Sequence, residues 1–333
     1  MTRLSRPRRS WRAGLAAAAV ACLALTACSP DEEAADPSAA AGDGGYPLNI
    51  QHAMGETTIE NRPQTVAALD SSYVDAALAL ETEVVAYTKY PTYEGLPDYL
   101  GEDAKYGQDA RMIGQLSSPD VEQLYDIQPD LIVSAKVRHE ELYGELSNVA
   151  PTVFSETTGA TWKENIRLLA RALGKEDLAE QKIGAYEQRA QKIGEAIKAE
   201  HGTMPTYSLV RFIEGEPTVR LYSSKSFPGI VMSDVGLRRP ESQPDTTDQI
   251  AVDLSQEKIA DLDADRIFVS NYADETQQAE DPKAKFQSNP LWGTLEGEIT
   301  DVDDDTWYVS VSLQGAHVML DDLAKQFGVD PAR

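Results

Sequence analysis

The stretches "EQLYDIQPDLIV" (122–133) and "EKIADLDADRIF" (257–268) stand 135 positions apart and spell one unit twice. Glu122/Glu257, Leu124/Ile259, Asp126/Asp261, Ile127/Leu262 and Asp130/Asp265 coincide. Apolar positions three apart predict a short helix in each copy, and the apolar run behind the second aspartate predicts a buried strand. A helix–Asp–strand unit at matching points predicts an internally duplicated α/β chain with one copy in each of two lobes.

The flanking text keeps the same grammar. Upstream, "TVAAL" (65–69) reads as a strand, "SSYVDAALAL" as a helix capped by Ser71 or Ser72, and "VVAYT" (84–88) as the next strand. A polar, aromatic loop follows, then the first copy, the helix "HEELYGELSNV" and the strand "TVFSE". Strand and helix in strict turn predict βαβ units and a mostly parallel sheet. Trp162, Ile166, Leu169 and Leu173 mark one helix that Gly174 breaks, and Ile183, Tyr186, Ala190, Ile193 and Ile197 carry a second to about Glu200. That second helix is long enough to bridge two lobes. After "HGTMP" (201–205) the alternation restarts with "TYSLVRF", "TVRLYS" and a helix around "GIVMSDVG", then the second copy and a closing helix "LQGAHVMLDDLAKQF". The expected plan is two Rossmann-like lobes, 46–175 and 201–333, joined by a rigid helix at 176–200.

The start of the chain belongs to none of this. Arg3, Arg6, Arg8, Arg9 and Arg12 precede an apolar run ending in "LTAC" at Cys28. So short a run with a small-residue cleavage site reads as an export signal over 1–27 rather than a membrane span. The cysteine at the cut resembles a bacterial lipobox, which makes Cys28 the expected lipidated N-terminus. The acidic, small-residue stretch up to residue 45 reads as a tether. Cys22 lies in the signal, so removal leaves Cys28 as the single cysteine, without a disulfide or a catalytic thiol.

The chain carries 30 basic and 55 acidic residues, a formal charge of −25 that falls to −30 when the five signal arginines go. So acidic a body argues against nucleic acid or an anionic membrane surface as partner. No nucleophile elbow, P-loop or dinucleotide fingerprint occurs. His52, His139, His201 and His317 are scattered without ligand spacing, so no metal site is expected. "DVDDD" (301–305) lacks the glycine and terminal glutamate of a Ca²⁺ loop and reads as a solvated strand end.

Binding residues are more visible. Two-lobed α/β proteins hold ligands at the carboxyl ends of their strands. The residues there are Lys89, Tyr90 and Tyr93, then Lys136 and Arg138, then Arg211, Tyr222, Tyr272, Trp307 and Tyr308. Cations and rings thus collect at one rim of an acidic protein, which suits a bulky, oxygen-bearing ligand. Arg138, Arg211, Trp307, Tyr222, Tyr90 and Tyr272 are the expected ligand contacts.

Taken together, "LTAC", "RPQTVAALD", "MIGQLSSPDVEQLYDIQPDLIVSAKVRHEELYGELSNVAPTVF", "VRLYSSKSFPGIVMSDVGLRRP" and "DDDTWY" resemble the iron–siderophore substrate-binding lipoproteins of ABC importers, from about Pro47 to Gly328. The resemblance implies a class III substrate-binding fold with small hinge motion. It also implies a monomeric, non-enzymatic receptor on the extracytoplasmic face of the cell membrane, attached only through its lipid. A ferric siderophore, which brings its own iron, would sit in the cleft. Glu122 and Glu257 match the glutamates that dock such receptors onto the permease. One position departs: where some hydroxamate binders carry an arginine before x-x-Pro, this chain has Leu116. Few clustered cations and many rings favour a hydroxamate or mixed-ligand siderophore over a catecholate. A haem or cobalamin receptor on the same scaffold is the rival and would need an axial ligand such as His139 or Tyr90. A secreted two-domain hydrolase is a more distant one.

Overall fold

Each copy of the repeat folds as a helix feeding a strand. In the computed structural model, which describes residues 45–272 and 282–333, helix Val121–Ile127 leads into strand Leu131–Ala135. The second copy supplies a 3-10 helix, Gln256–Leu262, and strand Arg266–Tyr272. Leu124 and Ile259 are both fully buried. The aspartate ahead of each strand forms the same clasp. Asp130 Oδ2 accepts from Thr65 N and Thr65 Oγ1 at 2.9 and 3.0 Å, and Asp130 N donates back to Thr65 Oγ1 at 3.1 Å. Asp265 Oδ2 accepts from Thr206 N and Thr206 Oγ1 at 2.7 and 2.8 Å, and Asp265 N donates back at 3.0 Å. The repeated aspartate therefore ties the strand behind it to the start of its neighbour, satisfying backbone donors that strand ends leave open. The signal segment and Cys28 lie outside the described residues, as does the tether up to residue 44.

Two five-stranded sheets follow from these units. The first runs Arg111–Met112, Glu83–Tyr87, Thr65–Ala68, Leu131–Ala135, Thr152–Ser155, and every pairing is parallel. The second runs Ala251–Leu254, Val219–Tyr222, Tyr207–Ile213, Arg266–Tyr272, Glu298–Asp301. It departs from the expected parallel plan. Tyr207–Ile213 pairs antiparallel with Val219–Tyr222, which pairs antiparallel with Ala251–Leu254. The link "EGEPT" (214–218) is too short for a crossover and closes a hairpin instead.

Helix Glu176–His201 spans the two lobes. It packs against Trp162–Leu173 of the first lobe and against Phe227–Val235 and Leu313–Phe327 of the second. Gly194 permits the closest crossing, since a Cβ there would stand 1.9 Å from the Val235 carbonyl oxygen. One apolar core runs along this helical layer from Val66 and Leu78 through Ile183, Tyr186 and Ile193 to Met319 and Leu323. A smaller core covers the outer face of each sheet. Among the described residues no helix is long and apolar enough to cross a membrane.

Candidate functional site: the cleft between the lobes

In the first sheet, chain order reverses between Thr65–Ala68 and Leu131–Ala135, which opens a crevice beyond their carboxyl ends. Asp70 follows one strand and Arg138 the other. Asp70, rather than Ser71 or Ser72, caps the helix Ser71–Ala79: its Oδ1 accepts from Ser72 N at 3.0 Å. Its Oδ2 accepts from Arg138 Nε at 2.9 Å. The carboxylate is buried, while the Arg138 side chain stays 41% exposed. Arg138 is thus gripped by one nitrogen, and its two Nη groups make no hydrogen bond to the described residues. It lines a cavity of about 620 Å³ together with Lys89, Leu116, Val137 and, from the second lobe, Tyr272.

Leu116 is brought there by the small hairpin of Gly114–Gln115 and Ser118–Pro119. Gly114 has φ +110°, and a Cβ would meet the Ser118 carbonyl oxygen at 2.7 Å, so the turn requires glycine. His139 holds this hairpin. Its Nε2 lies 2.6 Å from the Leu116 carbonyl oxygen and its Nδ1 2.7 Å from Ser134 Oγ. Burial pushes the imidazole pKa down. Both ring nitrogens are engaged and the ring is buried, so His139 does not serve as the axial ligand that a haem or cobalamin reading needs.

The second lobe presents Arg211 differently. Its Nε donates to Asp304 Oδ1 at 2.8 Å and its Nη2 to Asp304 Oδ2 at 2.6 Å. Nη1 donates to Tyr222 Oη at 3.0 Å. The rings of Tyr272 and Tyr308 each lie 5.2 Å from the guanidinium carbon. Burial works against the charge, but Tyr222 and Asp304 outweigh it and hold the guanidinium pKa above its ordinary value. Asp304 is itself fixed by Ser270 Oγ, which donates to Oδ1 at 2.8 Å.

The "DVDDD" run forms one wall of a second cavity of about 400 Å³, which shares Tyr272 with the first. Each aspartate there is employed. Asp301 pairs with Lys283 at 2.6 Å, Asp303 Oδ1 accepts from Thr306 N at 2.9 Å, and Asp305 accepts from Thr92 Oγ1 across the lobes. Burial raises the Asp305 pKa. Among the described residues no group of acids, histidines or cysteines is arranged to hold a metal ion.

Three expected ligand contacts turn out to be interior groups. Trp307 is fully buried, donates from Nε1 to Asp322 Oδ2 at 2.9 Å and packs on Phe268 with centroids 5.0 Å apart. Tyr222 is 3% exposed and its hydroxyl is taken by Arg211. Tyr90 is fully buried and donates to Asp75 Oδ1 at 2.6 Å, which also removes it as an axial ligand. An aromatic residue behind a strand has an apolar core as near as an open cleft, and burial of its large surface decides the direction. Arg138 and Tyr272 do line the cleft, and Arg211 stands behind Tyr272.

Sequence reasoning missed Asp70, Asp304 and Asp75. Asp75 joins the lobes beneath the cleft. Its Oδ2 accepts from Tyr99 Oη at 3.1 Å and, from the second lobe, Ser310 Oγ at 2.9 Å. Burial raises its pKa to about 7 in spite of these donors. The expected docking glutamates are both exposed, Glu122 in the first turn of its α-helix and Glu257 in the first turn of its 3-10 helix.

Residues 66–296 match the family model of the periplasmic binding proteins. The chain belongs to that family. This periplasmic binding protein is 32% identical over 321 residues to the probable siderophore-binding lipoprotein YfiY of Bacillus subtilis strain 168, covering 92% of this chain and 95% of the relative. It is 25% identical to the Fe(3+)-citrate-binding protein YfmC of the same strain, covering 92% and 94%. Among solved structures it is similar to Staphylococcus aureus SirA complexed with staphyloferrin B, with a TM-score of 0.75 and 27% identity over 85% of this chain and 99% of that one. These relatives are binding proteins by name, and the two-lobed mixed α/β architecture is theirs as well.

Proposed function

We propose that this periplasmic binding protein is a lipid-anchored receptor on the extracytoplasmic face of the cell membrane that binds a ferric siderophore, of hydroxamate type, between its lobes and delivers it to an ABC permease. The observation that carries the reading is Arg138. Its guanidinium is oriented by a buried carboxylate, keeps both Nη groups for a ligand and lines a cavity closed on the far side by Tyr272. A guanidinium edge offers fixed donors to chelate oxygens, and the adjoining Leu116, Val137 and Tyr272 surfaces take apolar arms. YfiY is named for siderophore binding and SirA for its complex with staphyloferrin B, which supports the ligand class. The preference for a hydroxamate rests on the cleft, where one open guanidinium and Lys89 stand against a wall of aspartates. Cys28 is the anchoring residue in this reading, the segment to residue 45 is the tether, and Glu122 and Glu257 are the docking pair.

The test is titration of the soluble body with a ferric tris-hydroxamate, a ferric tris-catecholate, haem and cobalamin, followed by tryptophan fluorescence. Saturable quenching by the ferric hydroxamate at submicromolar concentration is expected. Absence of saturable quenching by every ferric chelate rejects the proposal, and binding of haem alone replaces it with the tetrapyrrole reading.

A further inference from the structure

Arg138, which lines the cleft, and Arg211, which stands behind Tyr272, are not equivalent, and the difference bears on ligand charge. Arg138 gives one nitrogen to Asp70, whereas Arg211 has its Nε–Nη2 edge taken by Asp304 and its Nη1 by Tyr222. The Arg211 and Asp304 side chains are 11% and 10% exposed, so the pair is a closed, desolvated ion pair rather than a rim contact. Ser270 prevents the carboxylate from swinging aside. Lys89 and Arg138 line the first-lobe side of the cleft, and Lys283 shares the second-lobe wall with the four aspartates of "DVDDD", so releasing Arg211 from Asp304 would make that wall less negative.

We infer that Asp304 is a specificity-determining residue: by filling the fork of Arg211 it cancels that guanidinium's charge, leaves the second-lobe wall net negative and sets the cleft for ferric chelates of low net charge against polyanionic ones. This rests on the ferric-siderophore reading above and adds the charge class of the ligand. A ferric tris-hydroxamate is neutral at iron, because three monoanionic groups meet a trivalent ion. A ferric tris-catecholate keeps three negative charges. Bringing such a trianion beside the aspartates of this wall is repulsive, and like-charge juxtaposition is an efficient way to exclude a wrong ligand. The role also gives the "DVDDD" run a function other than cation binding.

The experiment measures dissociation constants of a ferric tris-hydroxamate and a ferric tris-catecholate for the wild type, Asp304→Asn and the double variant Asp304→Asn/Arg211→Gln. Asp304→Asn uncovers one positive charge and is expected to move the ratio of the two constants toward the catecholate by about tenfold or more. The double variant removes that charge again and is expected to return the ratio to the wild-type value, whatever happens to each affinity. A ratio unchanged in Asp304→Asn, or left shifted in the double variant, overturns the inference while leaving the receptor reading intact. A wild type that binds no ferric chelate overturns the receptor reading instead. Should Asp304→Asn fail to fold, wild-type affinities for ferric tris-hydroxamates bearing a pendant ammonium, no charge or a pendant carboxylate give the same test. The expected order falls from ammonium to carboxylate, and the reverse order overturns the inference.

Discussion

Replacing Asp75 by asparagine should remove a measurable part of the protein's pH dependence. The carboxylate sits between the lobes with Tyr90, Tyr99 and Ser310 on its oxygens, while Gln314 joins its backbone carbonyl to Asp103. Asp70 adds a second negative charge nearby, and burial raises the Asp75 pKa from 3.8 to about 7. A rise of about three units corresponds to up to about 4 kcal/mol. The sign follows from proton counting. Between pH 4 and 7 the folded chain keeps a proton on Asp75 that the unfolded chain has released. Stability from this residue is therefore full below about pH 4, falls as pH rises through the window and is level above about pH 7. The asparagine side chain of the variant has no such proton to lose. Urea unfolding of wild type and Asp75→Asn at pH 4.5, 6 and 8 should show the wild type losing up to about 3 kcal/mol relative to the variant as pH rises across that range. A free-energy difference that is constant across the three pH values would refute the reasoning.

Other expectations are equally direct. Arg138→Gln keeps a donor for Asp70 and should leave the melting temperature unchanged while weakening ferric hydroxamate binding by roughly tenfold or more, as calorimetry would read. Trp307→Ala should cost about 3–5 kcal/mol of stability, and a loss of affinity at unchanged stability would put the indole back in the site. Gly194→Ala forces the long helix away from Val235 and should cost about 1–3 kcal/mol in urea unfolding. Glu122→Ala combined with Glu257→Ala should spare ligand affinity but abolish uptake by whole cells, and normal uptake would dismiss the docking pair.

What the chain discloses in one dimension depends on how local each interaction is. The repeat is legible because Glu122, Leu124 and Asp130 act within ten residues, and because their copies recur with the same spacing. Helix Trp162–Leu173 and its end at Gly174 are legible for the same reason, as apolar period and left-handed cap lie side by side. Arg138 is legible because it directly follows a buried strand. Its partner Asp70 is 68 positions away, and Asp304 is 93 from Arg211, so no periodicity reveals either pairing. Trp307, Tyr90 and Tyr222 follow strands too, yet a ring at such a point is drawn inward whenever a core lies within reach. The antiparallel hairpin of the second lobe was legible in principle from the five residues of "EGEPT", which leave no room for a crossover helix.

The apolar layer along Glu176–His201 has a consequence for how the molecule comes apart. Residues of both lobes contribute to that layer, so neither sheet has a private interior of the size its own strands would need. Although its text was written by doubling, the body cannot be divided along the seam. A fragment ending before the long helix would expose Leu78 and Leu169, and one beginning after it would expose Met319 and Leu323. Melting should accordingly be a single event. A chelate held against only one wall of the cleft would then raise the transition temperature of the entire body, and thermal shift alone would detect ligands without revealing which lobe they touch.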